Sequence, residues 1–271
     1  MERKLVAIDL DGTTLNDYSK ITPETKQTID KVIEQGHIVS IATGRPFRTS
    51  SQFYKQLDLN TPMVNFNGAL CHHPNDDSWE NSYHRRLDRE VALAFTELKR
   101  YSIIKLIAAE SRNHVYVDRL AENAYSGESS IHDVQTVPFT AEHLKENPIS
   151  VNVFTAEEHF IPFLQEKIIE RYGADVEVRT WGGPTPTLEI VSAGIQKAMG
   201  VENIANYYNI DRKNIIAFGD EANDFEMIQY AGHGVVMKNG IDGLKEVSDD
   251  ITAVTNHENG LANYLTKYFD L

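Results

Sequence analysis

Two aspartates, Asp9 and Asp11, follow directly after an unbroken apolar run at residues 5–8. Such a run, with β-branched members, predicts a strand buried on both faces. Because side chains alternate along an extended chain, we expect both carboxylates to point into one small volume. Carboxylates held together repel, so the site requires either a raised pKa or a bound cation, and oxygen ligands of this kind suit Mg²⁺. The same stretch is also compatible with a strand that simply ends in an acidic turn.

Other polar residues follow further predicted strands. The strand at 37–42 closes in Thr43, the strand at 63–66 ends in Asn67, and the strand at 214–218 leads into the acidic stretch 219–224. Open parallel α/β sheets bind ligands at the carboxyl ends of their strands. These groups are therefore expected on one rim of the sheet, together with the two N-terminal aspartates.

The order of predicted elements gives the fold class. Three strand–helix units succeed one another within residues 1–84, and the same pattern resumes over residues 191–271. This order predicts an α/β core with a Rossmann-like, doubly wound parallel sheet. Residues 85–190 instead place helices beside short strands, which predicts an inserted α+β domain with an antiparallel sheet. An insertion of this kind is suited to act as a lid or cap.

Composition narrows the classes of partner and compartment. The chain has 271 residues and a formal net charge of −14, from 26 Lys and Arg against 40 Asp and Glu. With no basic run, these numbers argue against nucleic acid and anionic membranes as partners, and they make a local lysine, arginine or metal necessary for a phosphorylated substrate. A single cysteine, no membrane-length apolar segment and no signal-peptide pattern predict a soluble, cytoplasmic protein. No feature of the sequence predicts an oligomeric state.

The dispersed groups together resemble a known family. The first motif is D-x-D-G-T at Asp9, the fourth is G-D-x-x-N-D at Gly219, and Thr43 and Lys197 stand between them. This set resembles the haloacid dehalogenase superfamily of phosphohydrolases, and within it the Cof-type sugar-phosphate phosphatases, whose α/β cap is inserted after the third core strand. The resemblance covers the whole chain and implies a Mg²⁺-dependent phosphatase of a small phosphorylated metabolite.

The resemblance also implies roles for individual residues. Asp9 would be the nucleophile that forms an aspartyl-phosphate, and Asp11 would protonate the leaving oxygen and later accept a proton from water. Mg²⁺ would be held by Asp9, the backbone carbonyl of Asp11, and Asp220. The phosphoryl oxygens would be bound by a further set of groups: Thr43, the amides near Leu10 and Gly44, Lys197 and Asn223.

Four residues are left with two interpretations each. Asp224 either caps the helix that follows it or supports the metal ligands. Arg45 either binds substrate or pairs with an acid of the core, and Asn67 lies on the same rim as a supporting or substrate-contacting group. Trp181 belongs either to an ordinary turn between strands of the insertion or to a segment that reaches over the active site and selects substrate.

Two other stretches bear on the site. Cys71, His72 and His73 are expected in a turn and are interpreted as structural, because their spacing is not that of a zinc site. The family usually has Met-Gly-Asn-Ala where this chain has Met237-Lys238-Asn239-Gly240. Lys238 is therefore expected to add positive charge near the phosphate pocket or to alter its entrance.

Two alternatives to a phosphatase remain. One is a phosphotransferase or phosphomutase on the same scaffold, since the phosphomannomutase branch has a similar cap. The other is a non-catalytic phospho-acceptor that resembles a receiver domain, which the inserted domain argues against. Neither a Walker A sequence nor a G-x-G-x-x-G stretch occurs, so nucleotide-binding folds of those types are set aside. Sugar phosphates, pyridoxal phosphate and flavin mononucleotide are all candidate substrates.

Overall fold

The computed structural model describes residues 2–112, 114–119, 136–181 and 186–271. The chain divides into two compact units. The core unit consists of Met1–Tyr83 and Gln196–Leu271, and the inserted unit consists of His84–Ile195.

The core unit is built on a sheet of five parallel strands in the order β14-β13-β12-β1-β2. β1 lies between β12 and β2, with Leu5 opposite Ile215 of β12 on one side and Ile38 of β2 on the other. The strands are β1 (Leu5–Ile8), β2 (Ile38–Ile41), β12 (Ile215–Gly219), β13 (His233–Val236) and β14 (Asp250–Ile251).

Both faces of this sheet are buried, which explains its unbroken apolar strands. Successive residues of β1 pack on opposite sides: Val6 and Ile8 belong to one apolar cluster, and Leu5 and Ala7 belong to another. The helices divide between the faces, so the core is a doubly wound α/β sheet as predicted. They are α1 (Pro23–Glu34), α2 (Phe47–Gln56), α5 (Lys197–Tyr207), α6 (Phe225–Tyr230), α7 (Asp242–Lys245) and α8 (Gly260–Phe269).

The third predicted parallel strand is different in the structure. β3 (Met63–Asn65) forms an antiparallel hairpin with β4 (Leu70–His72), and β5 (Tyr83–His84) completes this separate three-stranded sheet. A single parallel bridge, Ala42 to Val64, links β3 to the end of β2. The prediction that Cys71 and His72 lie in a turn was therefore wrong, because Asn67-Gly68 makes the turn and the chain returns as a strand. An Asn-Gly pair between apolar runs is a hairpin signal.

The inserted unit contains a six-stranded sheet in the order β10-β11-β9-β6-β7-β8. Its strands pair antiparallel, as predicted, except that β7 and β8 are parallel. The strands are β6 (Ile104–Glu110), β7 (Val115–Val117), β8 (Thr136–Pro138), β9 (Ser150–Thr155), β10 (Val176–Trp181) and β11 (Thr187–Ser192).

The α-helices in the described part of the inserted unit are α3 (Arg89–Ala94) and α4 (Ile161–Tyr172). α3 is followed directly by a 3₁₀ helix over Phe95–Arg100. The backbone of Trp181 ends β10, whereas its side chain and the other residues of the expected turn, 182–184, lie outside the described residues. In the described part of the chain, no helix combines the length and the apolar character that a membrane span requires.

Candidate active site

Three buried aspartates meet at the carboxyl end of the parallel sheet. Asp9 follows β1 and donates its backbone N–H to the carbonyl of Phe218, at 3.1 Å, on the neighbouring strand β12. Asp220 follows β12 directly, and Asp224 comes one turn later. Carboxylate oxygens of Asp9, Asp220 and Asp224 lie within 4.8 Å of one another, and we refer to these three residues as the aspartate cluster. The adjacency of two parallel strands thus brings together residues that are far apart in sequence.

Lys197, the first residue of α5, is the cation of this cluster. Its fully buried Nζ lies 2.7 Å from Oδ1 of Asp9 and 2.6 Å from Oδ1 of Asp224. Burial alone would lower the pKa of Lys197, but the carboxylates of Asp224 and Asp9 outweigh it and raise that pKa. Lys197 therefore stays protonated and bridges two of the three aspartates.

The cluster holds more negative charge than one lysine balances. Burial raises the pKa of Asp9 well above its usual value, against the opposing charge of Lys197, and the neighbouring carboxylates add to the rise. Burial, followed by the carboxylate of Asp224, raises the pKa of Asp220 to about 7. When all three carboxylates are ionised, two negative charges remain uncompensated, and an all-oxygen site of this kind fits a divalent cation.

Asp11 is not part of the cluster. Its backbone φ and ψ are −73° and 130°, and its carboxylate points to the exposed side, where Arg45 binds it. Arg45 thus pairs with an acid of the core unit, and a contact of Arg45 with substrate stays a prediction. The metal ligands named from the sequence included the backbone carbonyl of Asp11, and that role stays a prediction. The third carboxylate of the cluster is that of Asp224, not that of Asp11.

The turn after Asp9 depends on a glycine. Gly12 has φ of 69°, and a Cβ built there would lie 2.0 Å from Oδ2 of Asp220. Two threonines close the same turn: Thr13 donates to Oδ1 of Asp220 at 3.0 Å, and Thr14 donates to the carbonyl of Asp9 at 2.5 Å. Neither threonine was given a role from the sequence, although Thr13 is the last residue of the D-x-D-G-T motif and Thr14 follows it.

Asp224 shapes the loop that carries Asp220. Its Oδ2 accepts the backbone N–H groups of Asp220 at 2.9 Å and Glu221 at 3.2 Å, which caps the 3₁₀ helix Ala222–Asp224, whereas its side chain makes no capping hydrogen bond to α6. That Asp224 supports the metal ligands stays a prediction. Its Oδ1 binds Lys197. One buried carboxylate thus shapes the loop that carries Asp220 and also belongs to the charged cluster.

The residues predicted to bind the phosphoryl group come from three loops and from Lys197 at the start of α5. Thr43 is buried and its Oγ1 accepts the backbone N–H of Arg45 at 3.1 Å, whereas the side chain of Leu10 is buried in the core. Nδ2 of Asn223 donates to Oδ1 of Asn67 at 2.8 Å. Gly44 lies against the same amide, since a Cβ there would be 2.9 Å from Oδ1 of Asn67. Asn67 therefore contacts both the loop that carries Gly44 and the loop that carries Asn223.

The remaining polar residues lie outside this constellation. Burial raises the pKa of the Cys71 thiol to about 12, and Nε2 of His72 lies 3.0 Å from Oδ1 of Asn65, contacts typical of structural side chains. Lys238 is exposed, and its loop meets the Asp9 loop through the next residue instead, where Asn239 donates to the carbonyl of Gly12 at 2.8 Å. The role expected for Lys238 in the phosphate pocket stays a prediction.

Two curated relatives match this chain over nearly the whole length of both proteins. The chain is 40% identical over 273 residues to the 5-amino-6-(5-phospho-D-ribitylamino)uracil phosphatase YitU of Bacillus subtilis, with 100% of both chains covered. It is 28% identical over 289 residues to YwtE, which bears the same enzyme name in B. subtilis, with 97% of this chain and 96% of YwtE covered. Both relatives are phosphatases by name.

Solved structures share the fold. A haloacid dehalogenase-like hydrolase from Bacteroides thetaiotaomicron superposes with a TM-score of 0.82 at 24% identity, covering 99% of this chain and 100% of that protein. The family model for haloacid dehalogenase-like hydrolases matches residues 6–265, which include every member of the aspartate cluster and Lys197. The chain therefore belongs to the haloacid dehalogenase-like hydrolases and is a phosphatase of that family.

Proposed function

We propose that this phosphatase uses Mg²⁺ to hydrolyse a phosphate monoester of a small polar metabolite, with Asp9 as the nucleophile. The observation that carries the chemistry is the contact of Lys197 with Asp9, 2.7 Å long, inside a cluster of three buried carboxylates. We further propose 5-amino-6-(5-phospho-D-ribitylamino)uracil as the substrate. Two relatives, YitU and YwtE, are named as phosphatases of this compound, which supports the choice. YitU is 40% identical to this chain, with 100% of both chains covered.

Asp9 would attack phosphorus. Its Oδ1 is held by Lys197, which fixes the carboxylate and leaves its other oxygen to form the new bond. In the first step an oxygen of Asp9 bonds to phosphorus as the bond from phosphorus to the leaving oxygen breaks, which gives an aspartyl-phosphate. In the second step water attacks that phosphorus, the bond to Asp9 breaks, and inorganic phosphate leaves.

The carboxylates of Asp9 and Asp220 would hold Mg²⁺, with Asp224 and Lys197 setting their positions. When bound, the ion neutralises charge, so that a carboxylate can approach a phosphate dianion and the charge that develops on the phosphoryl oxygens is stabilised. The hydroxyl of Thr13, 3.0 Å from Asp220, would keep that ligand oriented.

Asp11 would transfer the protons of both steps. Its carboxyl would donate a proton to the leaving oxygen in the first step, and its carboxylate would take one from the attacking water in the second. The phosphoryl oxygens would be bound by Thr43, Lys197, Asn223 and the backbone amides of Leu10 and Gly44. The inserted unit would contribute to the choice of substrate, with Trp181 as its candidate residue.

A substrate screen with purified protein tests the proposal. Wild type, Asp9→Asn and the surface control Asp30→Asn are incubated with Mg²⁺ and with 5-amino-6-(5-phospho-D-ribitylamino)uracil, flavin mononucleotide, pyridoxal phosphate or a hexose phosphate. Asp30 is half-exposed and pairs with Lys26 one helical turn away, so its loss should not affect turnover. We expect phosphate release that needs Mg²⁺, is lost in Asp9→Asn and is fastest with the ribitylaminouracil phosphate.

Three results would change the conclusion. Conversion of a hexose phosphate to its isomer without free phosphate would identify a phosphomutase instead. Full turnover in excess chelator would refute the metal requirement, and faster hydrolysis of another compound would replace the proposed substrate while leaving the chemistry in place.

A further inference from the structure

We infer that the turn Phe66–Gly68 positions the phosphate-binding groups of the core unit, and that Asn67 does so by orienting the side chain of Asn223. This inference rests on the proposed function, because it concerns how that site holds a phosphoryl group. Asn67 is a positioning residue in this account, not a catalytic one.

The backbone of this turn is unusual. Three successive residues have positive φ: 49° at Phe66, 55° at Asn67 and 105° at Gly68. Asparagine and glycine tolerate this region, but for a bulky aromatic residue it is a genuine outlier. Such a conformation persists only where its surroundings enforce it, and it is found preferentially at functional sites.

The surroundings that enforce it are the loop that carries Thr43 and Arg45. The backbone N–H of Phe66 donates to the carbonyl of Arg45 at 3.3 Å, and that of Asn67 donates to the carbonyl of Thr43 at 3.2 Å. Nδ2 of Asn65, the last residue of β3, donates to the same carbonyl of Arg45 at 2.8 Å. The turn and the Thr43 loop are therefore one hydrogen-bonded structure.

The turn also touches the two other segments that carry proposed phosphate-binding groups. A Cβ on Gly68 would lie 2.1 Å from the carbonyl oxygen of Gln196, the residue before Lys197. On the other side, the side chain of Asn67 receives the hydrogen bond from Asn223. One three-residue turn thus lies against the loops that carry Thr43, Lys197 and Asn223, so its shape sets their spacing.

The contact between the two asparagines has a chemical consequence. An asparagine amide carries two N–H bonds, and Oδ1 of Asn67 accepts one of those of Asn223 at 2.8 Å. This fixes the rotation of the Asn223 amide and leaves its second N–H to donate to a phosphoryl oxygen. Asn67 is itself buried, so it acts on the phosphate through Asn223.

The variant Asn67→Gly separates this role from a structural one. Glycine adopts positive φ freely, so the turn keeps its shape while the acceptor for Asn223 is lost. We expect the KM for p-nitrophenyl phosphate and the inhibition constant of inorganic phosphate to rise about 3- to 10-fold, the effect of one lost hydrogen bond, with a smaller change in kcat. The matched control is Asn209→Gly, at an exposed asparagine with φ of 52° after α5, where both constants should stay at the wild-type value.

A double variant tests the route through Asn223. In an Asn223→Ala background, Asn67→Gly should change neither constant further, because the amide that Asn67 orients is gone. Wild-type constants in the single variant, or the same rise in both backgrounds, would overturn the inference. Calorimetry gives the dissociation constant of inorganic phosphate without turnover. This constant should rise in Asn67→Gly and should not rise further when Asn67→Gly is added to Asn223→Ala. Wild-type protein that binds phosphate but hydrolyses nothing would therefore refute the proposed function alone.

Discussion

Arg45 binds both carboxylate oxygens of Asp11, with Nε 2.6 Å from Oδ2 and Nη2 2.5 Å from Oδ1. The guanidinium lies over the ring of Phe53, 5.3 Å from its centroid, so it is itself anchored to α2. The side chains of Arg45 and Asp11 are 22% and 54% exposed. This planar, two-point contact therefore holds Asp11, the residue proposed as both acid and base, outside the buried cluster.

The first prediction concerns this pair. In Arg45→Ala the carboxyl of Asp11 loses its fixed orientation, so reactions that need its proton should suffer most. We expect kcat/KM for an alkyl phosphate to fall about 10-fold or more, and that for p-nitrophenyl phosphate, whose leaving group is a weak base, to fall much less. Steady-state kinetics over a series of leaving groups measures this difference. An equal loss on every ester would mean that Arg45 contacts the phosphoryl group instead.

The second prediction concerns Asp11 itself. Asp11→Asn removes the proton transfer, yet nitrophenolate can leave without a proton, whereas the water of the second step must lose one. Rapid mixing of the variant with p-nitrophenyl phosphate should release a burst of about one equivalent of nitrophenol and then stall. A sugar phosphate should give no burst. Mass spectrometry should find the phosphate on Asp9, and steady wild-type turnover by the variant would remove Asp11 from the mechanism.

The third prediction concerns Lys197. Lys197→Met leaves the carboxylates of Asp9 and Asp224 buried without their cation, so in chelator it should lose about 3–5 kcal/mol of unfolding free energy as well as activity. Adding Asp224→Asn should restore part of the stability but no activity. Urea denaturation measures the unfolding free energy of the single and the double variant. The control is Lys26→Met, which removes a partly exposed ion pair and should change the unfolding free energy by less than about 1 kcal/mol. Unchanged stability in Lys197→Met would contradict a charged, paired lysine.

The fourth prediction concerns pH. The pKa of Asp220 is about 7 in the folded protein against 3.8 for an unperturbed group, so between these values the folded state binds more protons than the unfolded state. The metal-free protein should therefore lose stability as pH rises from about 4 through about 7. Thermal unfolding in chelator should give a lower Tm at pH 8 than at pH 5, and Asp220→Asn should flatten this slope. Mg²⁺, which binds the folded state, should raise the Tm most at pH 8. A Tm that rises with pH in chelator would show that another group dominates.

Local pattern was enough to predict some parts of this molecule. Apolar runs that end in Asp9 and Asp220 predict buried parallel strands, and strands that neighbour each other in such a sheet bring their ends together whatever their separation in sequence. The pairing of Arg45 with Asp11 could not be chosen in advance, because it depends on the direction in which the Gly12 turn sends one carboxylate. The hairpin of β3 and β4 was missed because the apolar run at 63–66 was interpreted as another parallel strand. The ion pair of Asp224 with Lys197 could not be predicted either, because Lys197 lies on a different element.

The order of the core strands has a consequence for synthesis of the chain. β1 pairs with β12, and Asp9 meets its lysine 188 residues later in the chain. On the ribosome, the N-terminal strand thus emerges long before its partner, with one edge open and a carboxylate that has no counter-ion. A nascent chain that ends within the inserted unit carries an unpaired apolar edge, which is a site for aggregation. Moving β12 and its loop ahead of β1 by circular permutation would shorten this exposed interval.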